Sequence, residues 1–592
     1  MSTMADRTDL HSSQLDLAIA ELAEGSERWG ATPLGARGDL LARTRASVSE
    51  EAERWVAAAA RSKGLNPSSL LIGEEWLTGP YAVLTSLNAL GRTLRALASG
   101  RSPLAGQRLG RAPGGRVTVS VLPHNAWDGL LLHGFSARAW LRPGVTMEHA
   151  RVAAGLGQLT PTVAGGVGLV LGAGNISSIA PLDVLYELVA HNRASILKLN
   201  PTFDKLLPIY RAALAPLIEQ GLLRIVTGGA DVGGYLAHHL GIRHVHITGS
   251  AATHDAIVFG GSTTLRLGKP ISSELGGVSP IIVLPGRWSR RDLRYQAQHV
   301  ATMRLHNGGY NCIAGQVLVL SAAWPQKRAF LDAVAAALAA APTRPAWYPG
   351  SDDRMRAASA AYPAAQSIPG GRLLVAASAP PMTAALATSA ASGRSAGAGA
   401  GHGLTGAASA STEDMLTTEY FAPVLGVVEL PGFGQAFLDL AVESVNRDFL
   451  GTLGANILGM PATIRRLGPG FEQAVARLRY GTIAINAWTG VGFLSAAAPW
   501  GAFPGHTLDN VQSGIGVVHN ALLLDDVERT VVRGPFRPFP RSVMHGEWAL
   551  LPKPPWFVSS RSGTLTARLL TGFAAHPAAR KLPRILAAAF RA

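Results

Sequence analysis

The segment HNGGYNCIAGQVLVL (306–320) carries Cys312, the single cysteine in a chain of 592 residues. A lone thiol makes no intramolecular disulfide, and its use suits a reducing compartment. Free cysteine is among the most buried residue types, so a packing role is one reading. The other is chemical, because a thiolate is the best side-chain nucleophile near neutral pH. Three further segments favour chemistry. SELGGVSP (273–280) sets Glu274 before two glycines, GAGNISSIAPLD (172–183) sets Asn175 between a strand and a helix, and EYFAPV (419–424) sets Glu419 at the start of a strand. A carboxylate can activate water, and an amide N–H can hold a developing oxyanion.

The elements that must position these groups alternate. Apolar runs of strand length are VGLVLG (167–172), ASILKLN (194–200), LLRIVTG (222–228), HVHITG (244–249) and PIIVLP (280–285). Between several of them lie helical stripes, such as Leu182, Leu185 and Val189, or Leu206, Ile209, Ala213 and Ile218. Strands apolar on both faces, separated by amphipathic helices, predict a parallel sheet covered on both sides. Residues 51–100 read as helical and 101–150 as shorter, turn-rich segments. A second α/β pattern follows residue 286: DLRYQAQHVATMRL as helix, GQVLVLS as strand and QKRAFLDAVAAALAA as helix.

Glu274, Asn175, Glu419, the ITGS turn (247–250) and the glycine-flanked Cys312 together resemble the aldehyde dehydrogenase superfamily, over roughly residues 160–510 and in the family's order. The resemblance implies an α/β fold with a Rossmann-type parallel-sheet cofactor domain, an α/β catalytic domain and a small bridging arm. It implies N-terminal helices and the dinucleotide-binding domain over 1–275 and the catalytic domain over 276–490. Residues 491–525 return to the cofactor domain and arm, and 526–592 form a basic extension. The implied reaction is NAD(P)-dependent oxidation of an aldehyde through a Cys312 thiohemiacetal and thioester. The Asn175 amide and Cys312 backbone N–H hold the oxyanion, and Glu274 activates water. For NAD or NADP the resemblance implies Lys198, Gly249 and Ser250 at a helix N-terminus that favours anions, Glu419 at the nicotinamide ribose, Phe421, and Gly228 near the adenine. A homo-oligomer is implied too, since family members pair strands across subunits. An acyl-thioester reductase or CoA-acylating enzyme on the same fold is an alternative, as is an idle scaffold homologue at a membrane surface.

Two departures stand within the motifs. Tyr310 occupies the usual glutamine position two residues before the cysteine, which predicts an altered floor of the substrate tunnel. Pro201 replaces the carboxylate that repels a 2′-phosphate in NAD-preferring members, which leaves NAD and NADP both open. Two other motifs compete. HNAWDG (124–129) fits an acyltransferase HxxxDG pattern but reads better as a turn. HHLGIRHVH (238–246) places His244 and His246 on one face of a strand, without the carboxylate or cysteine that a metal site expects.

Bulk composition narrows the classes. The chain is 47% hydrophobic and 15% charged, which argues against global disorder. Its 53 Lys+Arg against 38 Asp+Glu give +15, yet the arginines are scattered and no basic stretch interleaves with aromatics, which argues against nucleic acid. The N-terminus mixes acids and bases and is no secretory signal. VAGGVGLVLGAGNISSIAPL (163–182) is uncharged over 20 residues but is broken by Gly, Asn and Ser, so it reads as strand, turn and helix start. A cytoplasmic protein is the expectation. Residues 376–412 are small-residue low complexity, expected as a surface insertion. The last 45 residues hold seven Lys/Arg and no acid, so weak peripheral membrane contact is an alternative to a helix packed on the body.

Overall fold

The computed structural model describes residues 5–380 and 411–592, so most of the 376–412 segment lies outside the described residues. Two sheets organise the rest. The smaller has six strands in the spatial order Gly514–Ile515, Ile271–Leu275, Ile242–Gly249, Val167–Leu171, Ala194–Lys198, Leu223–Val226. All neighbours are parallel except the first pair. Val167–Leu171 and Ala194–Lys198 are buried at every position, as continuous apolar runs require when helices cover both faces. The order reverses between Val167–Leu171 and Ile242–Gly249. At such a switch point the helices on either side leave the sheet in opposite directions and a crevice opens beyond the strand C-termini.

The larger sheet has eleven strands: Leu109–Arg111, Val117–Leu122, Ser136–Leu141, Val527–Arg533, Thr482–Ile485, Gly454–Leu458, Ser279–Val283, Gly315–Ser321, Val424–Leu430, Arg372–Ala376 and Gln366–Ile368. Its six central junctions are parallel and its ends antiparallel. PIIVLP therefore belongs to this second sheet and not to the one before it. The strand that precedes it, Ile271–Leu275, carries Glu274; the following glycines break the apolar signal that would have marked it. The turn-rich 101–150 region is the three-stranded arm. The arm pairs with Val527–Arg533, which pairs in turn with Thr482–Ile485 of the same chain. Residues 527–533 are thus part of the main body, and the C-terminal extension starts after them rather than at 526.

Helices pack as their stripes require, with local corrections. The stripe over 206–218 is split at Leu214 into Leu207–Ala213 and Ala215–Glu219, because Pro216 cannot continue the hydrogen-bond ladder. HNAWDG opens a short helix, Ala126–Leu131, capped by the Asn125 side chain, and is not merely a turn. In the extension, helix Gly563–Ala575 buries Ala567, Leu570, Phe573 and Ala574, and Leu582–Ala589 buries Ile585. Its apolar faces are spent on the protein body. No helix among the described residues is long and apolar enough to cross a membrane.

Candidate active site

Six of the sequence-predicted positions sit at or near C-termini of strands in the smaller sheet. Asn175 follows Val167–Leu171, Lys198 ends its strand, and Gly228 follows Leu223–Val226. Gly249 ends its strand with Ser250 next, and Glu274 lies near the end of Ile271–Leu275. The turn that carries Asn175 needs its glycine: a Cβ at Gly174 would lie 2.5 Å from the Asn200 side chain. Gly228 has φ +140°, with Val232 Cγ2 2.5 Å from where a Cβ would stand. Ser250 caps helix Ala251–Phe259, its Oγ accepting from the Thr253 N–H at 3.2 Å.

Cys312 arrives from the other sheet. Helix Arg290–Leu305 begins with a Ser289–Asp292 capping box. After it the chain reverses through Asn307, Gly308 and Gly309 at φ +55°, +73° and +84°, then enters strand Gly315–Ser321. Gly309 passes so close to a neighbouring loop that a Cβ would sit 3.0 Å from the Ala422 carbonyl oxygen. The half-buried Cys312 Sγ donates to Glu274 Oε1 at 3.2 Å. Thiol and carboxylate line an apolar cavity of about 20 Å³ with Ile176, Trp488, Phe493 and Trp500. Burial, and next the Glu274 carboxylate, push the thiol pKa well up. Burial likewise raises that of Glu274, with Asp183 adding to the effect.

Asn175 is brought to the same loop but not aimed freely into the cavity. Its Nδ2 donates to the Tyr310 carbonyl at 3.1 Å, which engages one of its two amide protons. Tyr310 does not floor the cavity. Its ring stacks on Tyr348 (centroids 5.8 Å apart), its hydroxyl meets Ser351 Oγ at 2.5 Å, and Asn311 and Ile313 line the cavity instead. The ring is long enough to reach a different aromatic cluster, and that cluster contains Phe421, 6.1 Å away. Phe421 has φ +44°. Beside it, Glu419 packs over Gly276, where a Cβ would lie 2.1 Å from both carboxylate oxygens. Burial pushes the Glu419 pKa up to about 8, and its Oε1 is buried without a partner. An orphaned acceptor over a glycine cradle fits a sugar hydroxyl.

A model of the aldehyde dehydrogenase family matches residues 201–352, which include Glu274 and Cys312. That stretch, about a quarter of the chain, is similar to aldehyde dehydrogenases. Solved structures agree on the fold. The gamma-glutamyl-gamma-aminobutyraldehyde dehydrogenase of Burkholderia cenocepacia J2315 superposes with TM-score 0.57 at 18% identity, covering 88% of each chain. An indole-3-acetaldehyde dehydrogenase in complex with NAD+ superposes with TM-score 0.56 at 16% identity and the same coverage. Curated relatives match over shorter stretches. The peroxisomal aminoaldehyde dehydrogenase 1 of Pisum sativum is 45% identical over 67 residues, 11% of this chain and 13% of that protein. Aldehyde dehydrogenase LUC3 of a Fusarium species is 29% identical over 156 residues, 25% of this chain and 32% of that protein. The chain thus matches less than a third of the length of either.

Two buried networks are not visible in the sequence. Asn307 donates from Nδ2 to the carbonyls of Asn175 (3.1 Å) and Tyr310 (2.9 Å), so it ties the two site loops together. Asn307 is held in turn by Lys63 Nζ (3.0 Å) and, through its N–H, by Glu74 (2.8 Å). Lys63 pairs with Glu75 at 2.9 Å, and Arg344 pairs with Glu74. The only trace in the sequence is the charged pair inside the apolar LLIGEEWL. The second network explains the histidine-rich run. His246 lies 3.5 Å from Asp183 and His244 3.2 Å from Glu187, so helix Ile179–His191 supplies carboxylate partners that linear spacing hides. His519 reaches Asp183 from the opposite side, also at 3.5 Å.

Proposed function

We propose that the protein oxidises an aldehyde to a carboxylic acid with NAD+ or NADP+, using Cys312 as nucleophile and Glu274 as base. The observation that carries this reading is the Cys312 thiol donating to a buried carboxylate inside a cavity, at the mouth of a doubly wound sheet. Glu274, whose raised pKa makes it a better proton acceptor than a solvated carboxylate, takes the thiol proton as sulfur adds to the carbonyl carbon. The oxyanion is held by the backbone N–H of Cys312 and the second amide proton of Asn175. Loss of one such donor costs about 10²–10³ in rate. The bound dinucleotide supplies the hydride acceptor that turns the adduct into a thioester. Glu274, after releasing the thiol proton to solvent, draws a proton from water as its oxygen attacks the thioester carbon, and holds that proton for the departing sulfur. The C–S bond breaks, the acid leaves and the thiol is regenerated.

The cofactor-side residues serve binding. Gly249 and Ser250 offer N–H groups at a helix start to the pyrophosphate, and Lys198 lies at the adenosine ribose. Gly228 leaves room near the adenine, while Glu419 accepts from the nicotinamide ribose and Phe421 backs the ring. Pro201 replaces the carboxylate three residues after the lysine, while Asp204 and Asp231 act on the Lys198 charge from nearby, so NAD+ and NADP+ both stay open. We expect absorbance at 340 nm to rise when the protein is given either cofactor and an aldehyde panel, and Cys312→Ala to abolish it. Glu274→Gln should give one burst of reduced cofactor and then stall. An active Cys312→Ala protein would end this reading.

A further inference from the structure

The cavity at Cys312 does not stand alone. A second chamber, about 100 Å³, lies against it, and Leu494 lines both. Both also run along one helical stretch. Thr78 borders the inner cavity, while Tyr81, Thr85, Asn88 and Arg92, spaced three or four residues apart on one face, border the outer chamber. Between Thr78 and Thr85 the chain kinks at Gly79, and helix Ala82–Ala98 begins beyond that kink. The far wall comes from the C-terminal extension: Leu570, Phe573 and Ala574 of helix Gly563–Ala575. That helix is pinned in place, as Asn88 Nδ2 donates to the Ala574 carbonyl at 2.6 Å and Trp127 packs edge-on against Phe573 at 5.6 Å.

The polar groups of this chamber are engaged with one another. Arg92 Nε donates to His124 Nε2 at 3.3 Å, and the His124 N–H and Asn125 Nδ2 donate to Asp128 Oδ2 at 3.0 and 3.1 Å. Asp128 and Arg92 also offset each other's charge, so no unmatched ion awaits a charged tail. Val121, Leu131, Leu494, Leu570 and Phe573 supply the apolar part of a lining that is mixed overall.

We infer that the outer chamber takes the tail of a long, unbranched, apolar aldehyde whose carbonyl sits at Cys312, and that the C-terminal extension is a wall of the substrate site. This rests on the function proposed above, and it assigns the extension a part in choosing the substrate. Leu494 partitions head from tail, and the paired Arg92–His124–Asp128 rim faces water.

The test uses binding, so that it is read independently of turnover. Full-length Cys312→Ala protein is titrated calorimetrically with unreactive n-alkanols of two to ten carbons. Affinity is expected to climb about threefold per methylene from four carbons onward. Thr85→Phe, which fills the chamber, should flatten the series beyond about five carbons and leave shorter alcohols unchanged. Ala496→Leu, from the opposite wall, serves as the second filling variant and should do the same. In otherwise wild-type protein, kcat/KM for n-alkanals should follow the same length dependence. A flat alkanol series, or one that neither filling variant alters, overturns the inference. If alkanols bind as expected while no aldehyde reduces a cofactor, the proposed reaction fails and the chamber stands. If aldehydes react with no preference for length, the reverse holds.

Discussion

Cys312 Sγ lies 3.2 Å from Glu274 Oε1, and the two groups come from different sheets of the molecule. The carboxylate raises the cost of ionising the thiol, whereas the thiol's hydrogen bond favours the charged carboxylate. At rest the pair is best described as a thiol with its proton directed at a carboxylate, and nucleophilicity appears when that proton moves across.

The first prediction concerns this pair. Alkylation of Cys312 by iodoacetamide should be slow at pH 7 and accelerate as pH rises. Glu274→Gln removes the like charge and should displace the rate profile to lower pH. A thiol that ionises one pH unit earlier holds about tenfold more thiolate wherever the thiol form still predominates. Mass spectrometry of the single cysteine follows it directly. A profile that stays put or moves upward contradicts the stated cause.

Glu419 gives a stability test. Its folded pKa of about 8 lies above the ordinary carboxylate value because of burial, so between pH 5 and 8 the folded state holds a proton that the unfolded chain releases. Stability from this group therefore falls as pH rises through that window. Glu419→Gln should flatten the decline in Tm between pH 5 and 8. An unchanged slope would place the titrating group elsewhere.

Lys63 is fully buried against Glu75. Lys63→Met would take the nearer of two cations from that carboxylate, leaving Arg344 Nη1 at 3.6 Å, and would remove a donor to Asn307, at a cost toward the lower end of about 3–5 kcal/mol. A drop in the urea midpoint reads it. The double change Lys63→Met with Glu75→Leu should recover part of the loss, because neither charge is then stranded.

Asn307 acts at one remove from the chemistry. Asn307→Ala strips the two hydrogen bonds from its Nδ2 to the Asn175 and Tyr310 carbonyls, each worth about 1 kcal/mol, and leaves only the Asn175 Nδ2 bond to Tyr310 between these loops. We expect kcat to fall at least tenfold with KM little changed. The alkylation profile of Cys312 should move as well, which a purely destabilising change would not produce.

The strands Val167–Leu171 and Ala194–Lys198 are legible because residues buried on both faces leave no polar alternation; Asn175, Lys198 and Gly249 fall at or just past the ends of such strands, whereas Cys312 and Glu419 lie ahead of theirs. Ile271–Leu275 is hidden: ISSEL is short and half polar, and only its neighbours in the sheet make it a strand. The spacing of Tyr310 from Cys312 predicts a tunnel residue, whereas two consecutive left-handed glycines before it turn its ring the other way. The pairing of His246 and His519 with Asp183 depends on contacts between distant segments that no local pattern encodes.

The arm of this chain closes on its own sheet. Ser136–Leu141 pairs with Val527–Arg533, and that strand with Thr482–Ile485, so the inner edge that would welcome a neighbouring copy is already taken. What remains free are two terminal strands of three residues each, Leu109–Arg111 and Gln366–Ile368. Such short borders offer few unpaired peptide groups to another molecule. An assembly through this larger sheet would thus be glued by side chains on its flat faces, and should come apart by dilution without unzipping a β-ladder there.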